Sequence, residues 1–287
     1  MDVTIVVLTR NEEINLVDCL HSVEGFAKRV VVVDSHSEDN TVQIAKTMGA
    51  DVYIHDFENY SKQFNWALDH TDISTKWTFR LDADERLTPE LCEELEQLAE
   101  EHAEDDVNGI VMESWLYFLG RKIKHGCHNK RKLMMFKTGI GRIEDRKMDE
   151  HTILLSGTSV AAKNRFIHYD FKDMTHWINK MNWYATREMQ DYYDFKNGAQ
   201  PDALDDNDAV TANIRKKKFG FYYRFPLFFR CWLLFIYNYI FRLGFLDGKE
   251  GFIYNYMYHR WYRTLVDAKI YEQKLTNKPF EKTGVLK

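Results

Sequence analysis

One short segment of the sequence has two carboxylates spaced to bind a cation. In L-D-A-D-E, residues 81–85, two aspartates are separated by one residue and follow a strand-like run over residues 76–81. Side chains two residues apart on an extended segment point to the same side, so Asp82 and Asp84 can converge on one ion. Two carboxylates leave coordination positions open, which suits Mg²⁺ or Mn²⁺ with diphosphate oxygens as further ligands. Such a metal would neutralise the charge that grows on a leaving nucleoside diphosphate.

A capped turn is the alternative interpretation of the same segment. Acidic residues are common ahead of a helix, and Thr88-Pro89 is typical of a helix start, with proline at the first helical position. The D-x-D spacing alone leaves both interpretations open. Its place after the fourth strand of an α/β unit favours a metal site, because ligands of open parallel sheets bind at the carboxyl ends of the strands.

The first hundred residues alternate between strand-like and helix-like segments. The strand-like runs are continuously apolar, as expected for strands that are buried on both faces. Asn11 is the expected N-cap of the first helix, and Gly49 is expected to close the second. The predicted strands are residues 3–8, 29–33, 51–55 and 76–81, and the helices between them are residues 11–22, a helix ending near 48, and 60–69. This order predicts a Rossmann-like α/β fold with a parallel sheet.

The pattern changes after residue 108. Strands at residues 110–118 and 132–137, without a helix between them, predict a smaller mixed or antiparallel section. Residues 138–160 are Gly-rich and are expected to be irregular. A long helix is expected over residues 173–193, and a loop over 201–208.

Polar turns follow the first two strands as well. They occupy residues 8–12 and 34–41, and in a parallel sheet both would flank the ligand crevice. A carboxylate such as Asp34 can bond a ribose or a base edge there. Helix capping explains each turn equally well by itself, but three polar strand ends at one edge favour a binding site.

The charge of the chain is strongly polarised. The net charge is −5, yet ten Lys/Arg and only two acids lie between Arg215 and Arg263. This distribution argues against a nucleic-acid binder, whose basic surface would lie on the folded core. It predicts instead a basic, aromatic segment with an anionic partner.

Part of that segment, residues 225–241, is apolar but is interrupted by Arg230 and Asn238. A membrane-spanning helix needs about 20 predominantly apolar residues. We therefore expect a helix that lies at an anionic membrane surface, with Lys/Arg facing the lipid. Helices that pack their aromatic side chains on the catalytic core are the alternative, and both arrangements can hold together.

The cysteines and the first residues bear on the compartment. No C-x-x-C pair occurs, so neither a zinc knuckle nor a disulfide framework is supported, and a reducing compartment is indicated. The first residues lack the basic and apolar regions of a secretory signal. We expect a cytoplasmic protein that is peripheral on the inner face of the cytoplasmic membrane.

Three motifs, taken in order, resemble those of glycosyltransferase family 2, a family of inverting enzymes with the GT-A fold. They are V-V-L-T-R-N-E-E at 6–13, V-V-D-S-x-S-x-D-x-T at 32–41 and L-D-A-D-E-R-L at 81–87. Residues 117–121, 148–151 and 244–251 resemble the branch with lipopolysaccharide-core β-1,4-glucosyltransferase-like enzymes. The resemblance implies a GT-A catalytic domain at 1–212, with a mostly parallel sheet flanked by helices. A C-terminal helical, membrane-associating extension would follow at 213–287.

The resemblance also implies roles for individual residues. Residues in contact with the donor nucleotide would be Thr9, Arg10, Glu12 and Asp34, and those that bind metal and diphosphate would be Asp82 and Asp84. Gln63 is a further candidate for the donor pocket, although a place on a helix face explains it too. His168 is the strongest candidate for a metal ligand among the histidines, but a lone histidine is more often structural.

The catalytic base of the family is an acidic residue downstream of the metal motif. Glu150 aligns with the glutamate of the branch's Val-His-Glu segment and is the expected base. Asp149 stands where that branch has histidine, so it is a competing carboxylate. A carboxylate within about 3 Å of an acceptor hydroxyl can take its proton as the oxygen attacks the anomeric carbon.

These observations predict an inverting hexosyltransferase. Its donor would be a nucleotide-diphosphate sugar, which the family resemblance implies is a UDP-sugar, and its acceptor a lipid-linked or lipopolysaccharide-core glycan. A nucleotidyltransferase that makes nucleotide sugars is one alternative, but such enzymes place a Gly-rich loop after the first strand, where residues 9–12 contain no glycine. A non-catalytic membrane adaptor is the other, and it leaves the D-x-D segment unexplained.

Overall fold

The computed structural model describes residues 1–127, 131–144, 151–169, 173–196 and 222–276. The chain divides into two compact units. Unit 1 comprises Met1–Tyr117 and Asn129–Asp170, and unit 2 comprises Phe118–His128 and Phe171–Lys287. The boundary predicted at residue 212 lies outside the described residues, so the two-domain division at that point stays a prediction.

The strands are β1 Val3–Thr9, β2 Arg29–Asp34, β3 Asp51–Ile54, β4 Trp77–Asp82, β5 Glu85–Arg86, β6 Val107–Phe118, β7 Arg121–Ile123, β8 Arg131–Lys137, β9 Gly141–Ile143, β10 Thr152–Leu154 and β11 Thr158–His168. Unit 1 contains a mixed sheet in the order β3-β2-β1-β4-β8-β6-β11-β5. The pairs β3-β2, β2-β1 and β1-β4 are parallel, whereas β8 is antiparallel to both β4 and β6. Both the parallel first half and the mixed section after residue 108 are thus confirmed.

The helices are α1 Glu13–His21, α2 Thr41–Thr47, α3 Tyr60–His70, α4 Pro89–Glu101, α5 Met174–Lys196, α6 Phe229–Ile236, α7 Gly248–Asn255 and α8 Arg263–Thr276. Two π-helical stretches, Tyr237–Phe241 and Tyr256–Tyr262, continue α6 and α7. No described helix reaches the length and apolarity that crossing a bilayer requires.

The two faces of β1 explain why its sequence is apolar without alternation. Val3, Ile5 and Val7 enter one apolar cluster, and Val6 enters another together with Phe64. All five side chains are fully buried. Burying one such side chain contributes about 1.5–3 kcal/mol, so the strand is held firmly at the centre of the sheet.

The capping predictions have mixed outcomes. Thr88 accepts a hydrogen bond from the backbone N–H of Leu91 at 3.3 Å, so the predicted start of α4 is confirmed. The N-cap role of Asn11 is wrong, because α1 begins at Glu13 and Asn11 has a positive φ of 54°. Its side-chain oxygen instead accepts from the backbone N–H of Glu38 at 2.9 Å, which joins the loops after β1 and β2.

The expectation of an irregular stretch over residues 138–160 is also wrong. β9 and β10 form an antiparallel pair there, with Ile143 opposite Thr152, and β11 begins at Thr158. Ile143 and Leu154 pack into the second apolar cluster. Strands of three residues are too short to show a two-residue alternation, so only packing reveals them.

Unit 2 is held internally by a buried ion pair. Arg230 and Asp267 are each about 1% exposed or less, and the Arg230 Nε donates to Asp267 Oδ1 at 2.9 Å. The rings of Tyr222 and Tyr223 lie 4.9 and 4.7 Å from the guanidinium carbon. The backbone N–H of Phe228 donates to the same carboxylate at 2.6 Å. Asp267 therefore joins α8 to the start of α6.

Replacing Asp267 with alanine should destabilise the protein strongly, because it leaves the charge of Arg230 buried without a partner. We expect the free energy of unfolding to fall by about 3–5 kcal/mol. Urea unfolding followed by circular dichroism measures it. Glu272→Ala is the matched control, since this glutamate is exposed on the same helix. Equal losses for the two variants would contradict the role of the ion pair.

Candidate functional site

The carboxyl ends of the central strands lie side by side in unit 1. In the sheet register, Thr9 at the end of β1 is opposite Asp34 at the end of β2. On the other side of β1, Leu8 is opposite Asp82 at the end of β4. The three polar turns therefore meet at one edge of the sheet, which confirms the predicted juxtaposition.

The carboxylate of Asp34 anchors the loop that follows β2. Thr9 Oγ1 donates to its Oδ2 at 2.8 Å, and the backbone N–H of Ser37 donates to its Oδ1 at 2.8 Å. The Ser37 hydroxyl donates to Oδ2 at 2.5 Å. Asp34 is fully buried and Thr9 nearly so. These contacts show a structural role for both residues, and a direct contact with a donor nucleotide stays a prediction.

The other predicted donor-binding residues differ in exposure. Arg10 is exposed and Glu12 is half-buried, with its carboxylate accepting from the Asn15 amide at 3.0 Å. The backbone N–H of Glu12 donates to Thr41 Oγ1 at 2.8 Å, which fixes this turn against the start of α2. Arg10 and Glu12 are thus at the predicted strand end, on a turn with a defined backbone.

Gln63 is fully buried behind this edge. Its amide nitrogen donates to Ser35 Oγ and to the His55 carbonyl, both at 3.1 Å, and its oxygen lies 2.7 Å from His55 Nδ1. The side chain therefore ties α3 to the loops after β2 and β3. Its contacts show a positioning role, and contact with a donor stays a prediction.

The D-x-D segment forms a turn rather than an extended strand. β4 ends at Asp82, residues 83–84 form the turn, and β5 begins at Glu85. The backbone N–H of Asp82 donates to Glu85 Oε2 at 3.0 Å. The premise of alternating side chains on an extended backbone is therefore wrong here, because the glutamate carboxylate folds the segment back on itself.

The carboxylate of Asp82 already has cationic and neutral donors. Lys132 Nζ lies 2.8 Å from its Oδ2 and 2.6 Å from Glu85 Oε1. Tyr60 donates its hydroxyl proton to Asp82 Oδ1 at 2.5 Å, and Arg80 Nε is 4.0 Å from the same oxygen. The ammonium of Lys132 thus joins β8 to both acids of the turn.

These charges shift the ionisation of the group. Burial alone raises the pKa of Asp82, but the positive charges of Lys132 and Arg80 outweigh it and hold that pKa well below its usual range. The pKa of Glu85 is raised, chiefly by burial, with Lys132 opposing the shift and Asp82 adding to it. Burial lowers the pKa of Lys132, but the two carboxylates more than compensate and raise it. Asp82 and Lys132 are therefore both ionised at neutral pH and form a charged pair.

A second set of side chains at the turn has metal-ligand spacing. One ligand atom from each of Asp84, Glu85 and His168 lies within 4.8 Å of the others. The antiparallel pairing of β5 with β11 places His168 opposite Glu85, and the Tyr169 N–H donates to the Asp84 carbonyl at 2.8 Å. His168 Nε2 is 3.6 Å from Asp84 Oδ2. The position of His168 beside two carboxylates is thus compatible with its predicted role as a metal ligand.

The donor chemistry of this set fits a divalent cation. Carboxylate oxygens suit both Mg²⁺ and Mn²⁺, and an imidazole nitrogen favours the transition metal of the two. His168 is buried, and its Nδ1 has no hydrogen-bond partner among the described residues. Asp82 is not a member of the set, so its predicted role as a metal ligand stays a prediction, whereas Glu85 is a member that the sequence did not suggest.

The predicted bases Glu150 and Asp149 lie outside the described residues. Thr152, which follows them closely in sequence, contacts β4, because the Arg80 side chain donates to Thr152 Oγ1 at 3.3 Å. The Glu144 N–H donates to the His151 carbonyl at 3.1 Å. The strand β10, which follows the predicted base in sequence, is therefore bonded to β4, two residues before Asp82.

Besides Glu85, the sequence did not single out three other site residues, Lys132, Arg80 and Tyr60. Arg80 in the middle of a buried strand is the one available signal, since a buried arginine requires a partner. Lys132 begins a predicted strand and is 50 residues from Asp82, so only the antiparallel pairing of β8 brings them together.

Comparison with known proteins identifies the family. The family model for glycosyl transferase family 2 matches residues 4–156. The chain belongs to glycosyl transferase family 2. It is therefore an enzyme of the glycosyltransferase class, and the mixed α/β sheet with flanking helices is the GT-A-like fold that the motifs predicted.

Several relatives carry glycosyltransferase names. An uncharacterized glycosyltransferase of Rickettsia typhi is 26% identical over 194 residues, which cover 64% of this chain and 66% of that protein. The chain thus spans just under two thirds of that relative's length. The lipopolysaccharide core biosynthesis glycosyltransferase LpsC of Rhizobium meliloti is 25% identical over 277 residues, which cover 93% of this chain and 91% of that protein.

Two solved structures are also similar to the chain. S. aureus TarS, residues 1–349, matches with a TM-score of 0.45 and 15% identity, over 98% of this chain and 93% of that chain. Glucosyl-3-phosphoglycerate synthase of Mycobacterium tuberculosis, in complex with Mn²⁺ and UDP, matches with a TM-score of 0.33 and 17% identity, over 40% of this chain and 44% of that chain.

Replacing Lys132 with methionine should destabilise unit 1 in a pH-dependent way. Without the ammonium, the partly buried carboxylate of Asp82 and the buried carboxylate of Glu85 repel each other, and we expect a loss of about 3 kcal/mol in the free energy of unfolding near neutral pH. In the wild type the low pKa of Asp82 stabilises the fold above the ordinary carboxyl pKa, and this stabilisation is lost as pH falls. In the variant the carboxyl pKa values rise, so protonation relieves the repulsion and the difference should shrink below about pH 4.5.

Urea unfolding of the wild type and of Lys132→Met near neutral pH and below about pH 4.5 measures this difference. Lys137→Met is the matched control on the same strand, because the Lys137 ammonium donates to the backbone carbonyl of Asp105. A gap between wild type and Lys132→Met that is the same at both pH values would show that lost packing, rather than charge, explains the effect.

Proposed function

We propose that the chain transfers a hexose from a nucleoside-diphosphate sugar, a UDP-sugar, to a lipid-linked or lipopolysaccharide-core glycan. The observation that carries the proposal is the set of Asp84, Glu85 and His168 beside the ends of β1 and β2. The similarity to LpsC over most of both chains supports the acceptor class. Family membership supports the transfer of a sugar rather than of a nucleotide.

The donor would lie across the carboxyl ends of β1, β2 and β4. Arg10 is the exposed cation of this edge and suits a phosphate or a base oxygen. Thr9 and Asp34 would support the donor site indirectly, because the hydrogen bond between them fixes the loops that would flank the nucleotide. Gln63 would hold the neighbouring loop in the same way.

The charge at the turn favours a divalent cation. Three carboxylates, those of Asp82, Asp84 and Glu85, lie within four residues of sequence at this turn, and such a concentration of oxygen ligands suits a divalent cation. Asp84 and His168 would hold Mg²⁺ or Mn²⁺, with Asp82 toward the diphosphate. The metal, when bound, stabilises the charge that develops on the departing diphosphate.

The transfer itself would be a single displacement. A carboxylate, Glu150 by our proposal and Asp149 as the competing candidate, takes the proton of the acceptor hydroxyl. The acceptor oxygen bonds to the anomeric carbon while the bond from that carbon to the diphosphate oxygen breaks, so the anomeric configuration inverts. The nucleoside diphosphate leaves with the electron pair of the broken bond.

The proposed acceptor implies a location at a membrane. A lipid-linked or core glycan is anchored in a bilayer, so the chain would act as a peripheral protein on an anionic membrane surface, at the cytoplasmic side where nucleotide sugars are available. The basic and aromatic C-terminal sequence supports this location.

Asp84→Asn should abolish transfer and weaken metal-dependent donor binding. Loss of one anionic ligand removes several kcal/mol of charge stabilisation, so we expect turnover to fall by at least about 100-fold. Radiolabelled sugar transfer from a donor panel, with and without Mn²⁺, measures turnover, and calorimetry with UDP measures binding. Glu93→Gln, an exposed acid on α4, is the control. Full activity of Asp84→Asn, or pyrophosphate release from a nucleoside triphosphate, would contradict the proposal.

Glu150→Gln should leave donor binding unchanged and remove transfer. The amide keeps the shape of the side chain but cannot accept the proton of the acceptor hydroxyl, so we expect a loss of about 100-fold or more. The same assay on Asp149→Asn is the comparison. If Asp149→Asn loses activity and Glu150→Gln retains it, the base is Asp149.

A further inference from the structure

Exposed large apolar side chains are concentrated in unit 2. Among the described residues, fifteen of the nineteen such side chains lie between Phe228 and Leu275. Unit 1 has only four of them, which are dispersed along the sequence. Single exposed apolar residues are ordinary on protein surfaces, but a dense group of them marks an interaction site.

The helix formed by α6 and its π-helical continuation is apolar on its outer side. Exposed apolar side chains recur at three- and four-residue intervals, which places them on one face. They are Phe229 (54% exposed), Trp232 (47%), Leu233 (39%), Ile236 (41%), Tyr237 (54%) and Ile240 (47%).

The polar residues of the same helix point inward. Arg230 is 1% exposed and Asn238 is fully buried, whereas Phe229 and Ile240 on the outer face of the helix are about half exposed. Arg230 is held by Asp267, and the Asn238 amide donates to the Leu234 carbonyl at 2.9 Å. This is the reverse of a helix on a water-facing surface, where apolar residues are buried and charged residues are exposed. This arrangement suits a helix whose outer face contacts an apolar medium.

A neighbouring helix extends the same surface. Phe252 and Tyr256, one turn apart on α7 and its continuation, are 45% and 44% exposed. Their rings contact the first helix: Phe252 lies 5.6 Å from Tyr239, and Tyr256 lies 6.0 Å from Phe235. We call the six outer residues of the first helix, together with Phe252 and Tyr256, the apolar face.

The charges around the apolar face are mostly positive. Residues 222–263 contain six Lys/Arg and two acids; Arg230 pairs with Asp267 and Arg263 with Glu188, and the other four cations are Arg224, Arg242, Lys249 and Arg260. One acid, Asp247, is buried and accepts from the backbone N–H of His125 at 2.7 Å, and the other, Glu250, pairs with Arg121 at 3.3 Å. The Arg260 guanidinium lies 4.2 Å from the ring centre of Trp232. The surroundings are therefore complementary to an anionic surface and repel a second copy of the same face.

We propose that the apolar face inserts into the interfacial layer of an anionic phospholipid bilayer. Trp232, Tyr237 and Tyr256 have amphipathic rings, which prefer the headgroup depth, and Ile236 and Ile240 reach the acyl chains. The inference rests on the proposed function in one respect, because a membrane-borne acceptor gives the contact its purpose.

This differs from the electrostatic contact that the sequence predicted. Arg230 is buried against Asp267, and Arg263 is bonded to Glu188, so neither cation faces lipid. The apolar face carries the binding, and the exposed cations such as Lys249 add attraction to anionic headgroups. Membrane binding should therefore survive high salt, which screens charges but does not weaken apolar burial.

The test is co-sedimentation of the full chain with vesicles, without donor or metal. We expect binding to phosphatidylcholine vesicles, stronger binding when phosphatidylglycerol is added, and retention in about 0.5 M NaCl, where the Debye length is only about 4 Å. The double variant Ile236→Asn/Ile240→Asn should lower the partition coefficient by at least about tenfold. Its matched control is Ile14→Asn/Leu155→Asn, which changes two residues of unit 1 that are 67% and 63% exposed.

Brominated phospholipids give an independent readout, because they quench tryptophan fluorescence within the bilayer. The chain has seven tryptophans, so the quenched signal is assigned by Trp232→Phe, which should remove most of it. Circular dichroism should show that the variants remain folded. Absence of vesicle binding, or equal binding by wild type and the Ile236/Ile240 variant, would overturn the proposal.

Two further outcomes separate this inference from its rivals. If sedimentation equilibrium shows a dimer that the Ile236/Ile240 variant dissociates, the face is an interface between copies and the membrane proposal is wrong. Asp84→Asn should bind vesicles as the wild type does, and the Ile236/Ile240 variant should transfer sugar normally to a water-soluble acceptor. Failure of membrane binding is thereby distinguished from failure of the proposed catalysis.

Discussion

The ammonium of Lys132, held between Asp82 and Glu85, is the contact on which the candidate site depends. Three acids lie within four residues at the end of β4, and the repulsion between the partly buried Asp82 and the buried Glu85 has to be offset. The lysine offsets it and joins β8 to the turn between β4 and β5. The antiparallel insertion of β8 beside β4 is thus an electrostatic requirement of the site as well as a feature of the sheet.

The three acids of the turn therefore have different partners. Asp82 and Glu85 are bonded to the lysine and to the backbone of the turn, whereas Asp84 is directed to His168 across the β5-β11 pair. A turn that is already neutralised on one side can present the remaining carboxylate and an imidazole on the other without collapsing. Preorganisation of this kind lowers the free energy that is needed to assemble a metal site.

The central strand of unit 1 and the helix at residues 229–241 of unit 2 distribute their polar and apolar residues differently. In unit 1, alternate residues of β1 enter apolar clusters on both faces, and the polar strand ends are at the edge of the sheet. In the helix at residues 229–241 of unit 2, Arg230 and Asn238 are buried while aromatic and aliphatic side chains are exposed. The first pattern suits a protein surrounded by water, and the second suits one whose outer face meets an apolar phase.

The sequence by itself determined the parallel core, the three polar strand ends, the D-x-D segment and the candidacy of His168. Local chemistry suffices there: continuous apolar runs require strands buried on both faces, and the parallel order brings the strand ends to one edge. The tertiary structure alone decided between the extended segment and the turn after Asp82, and it alone showed the partnership of Asp82 with Lys132, the β9-β10 pair and the inward direction of Arg230. These features depend on residues that are distant in sequence, and only packing selects which charge meets which partner.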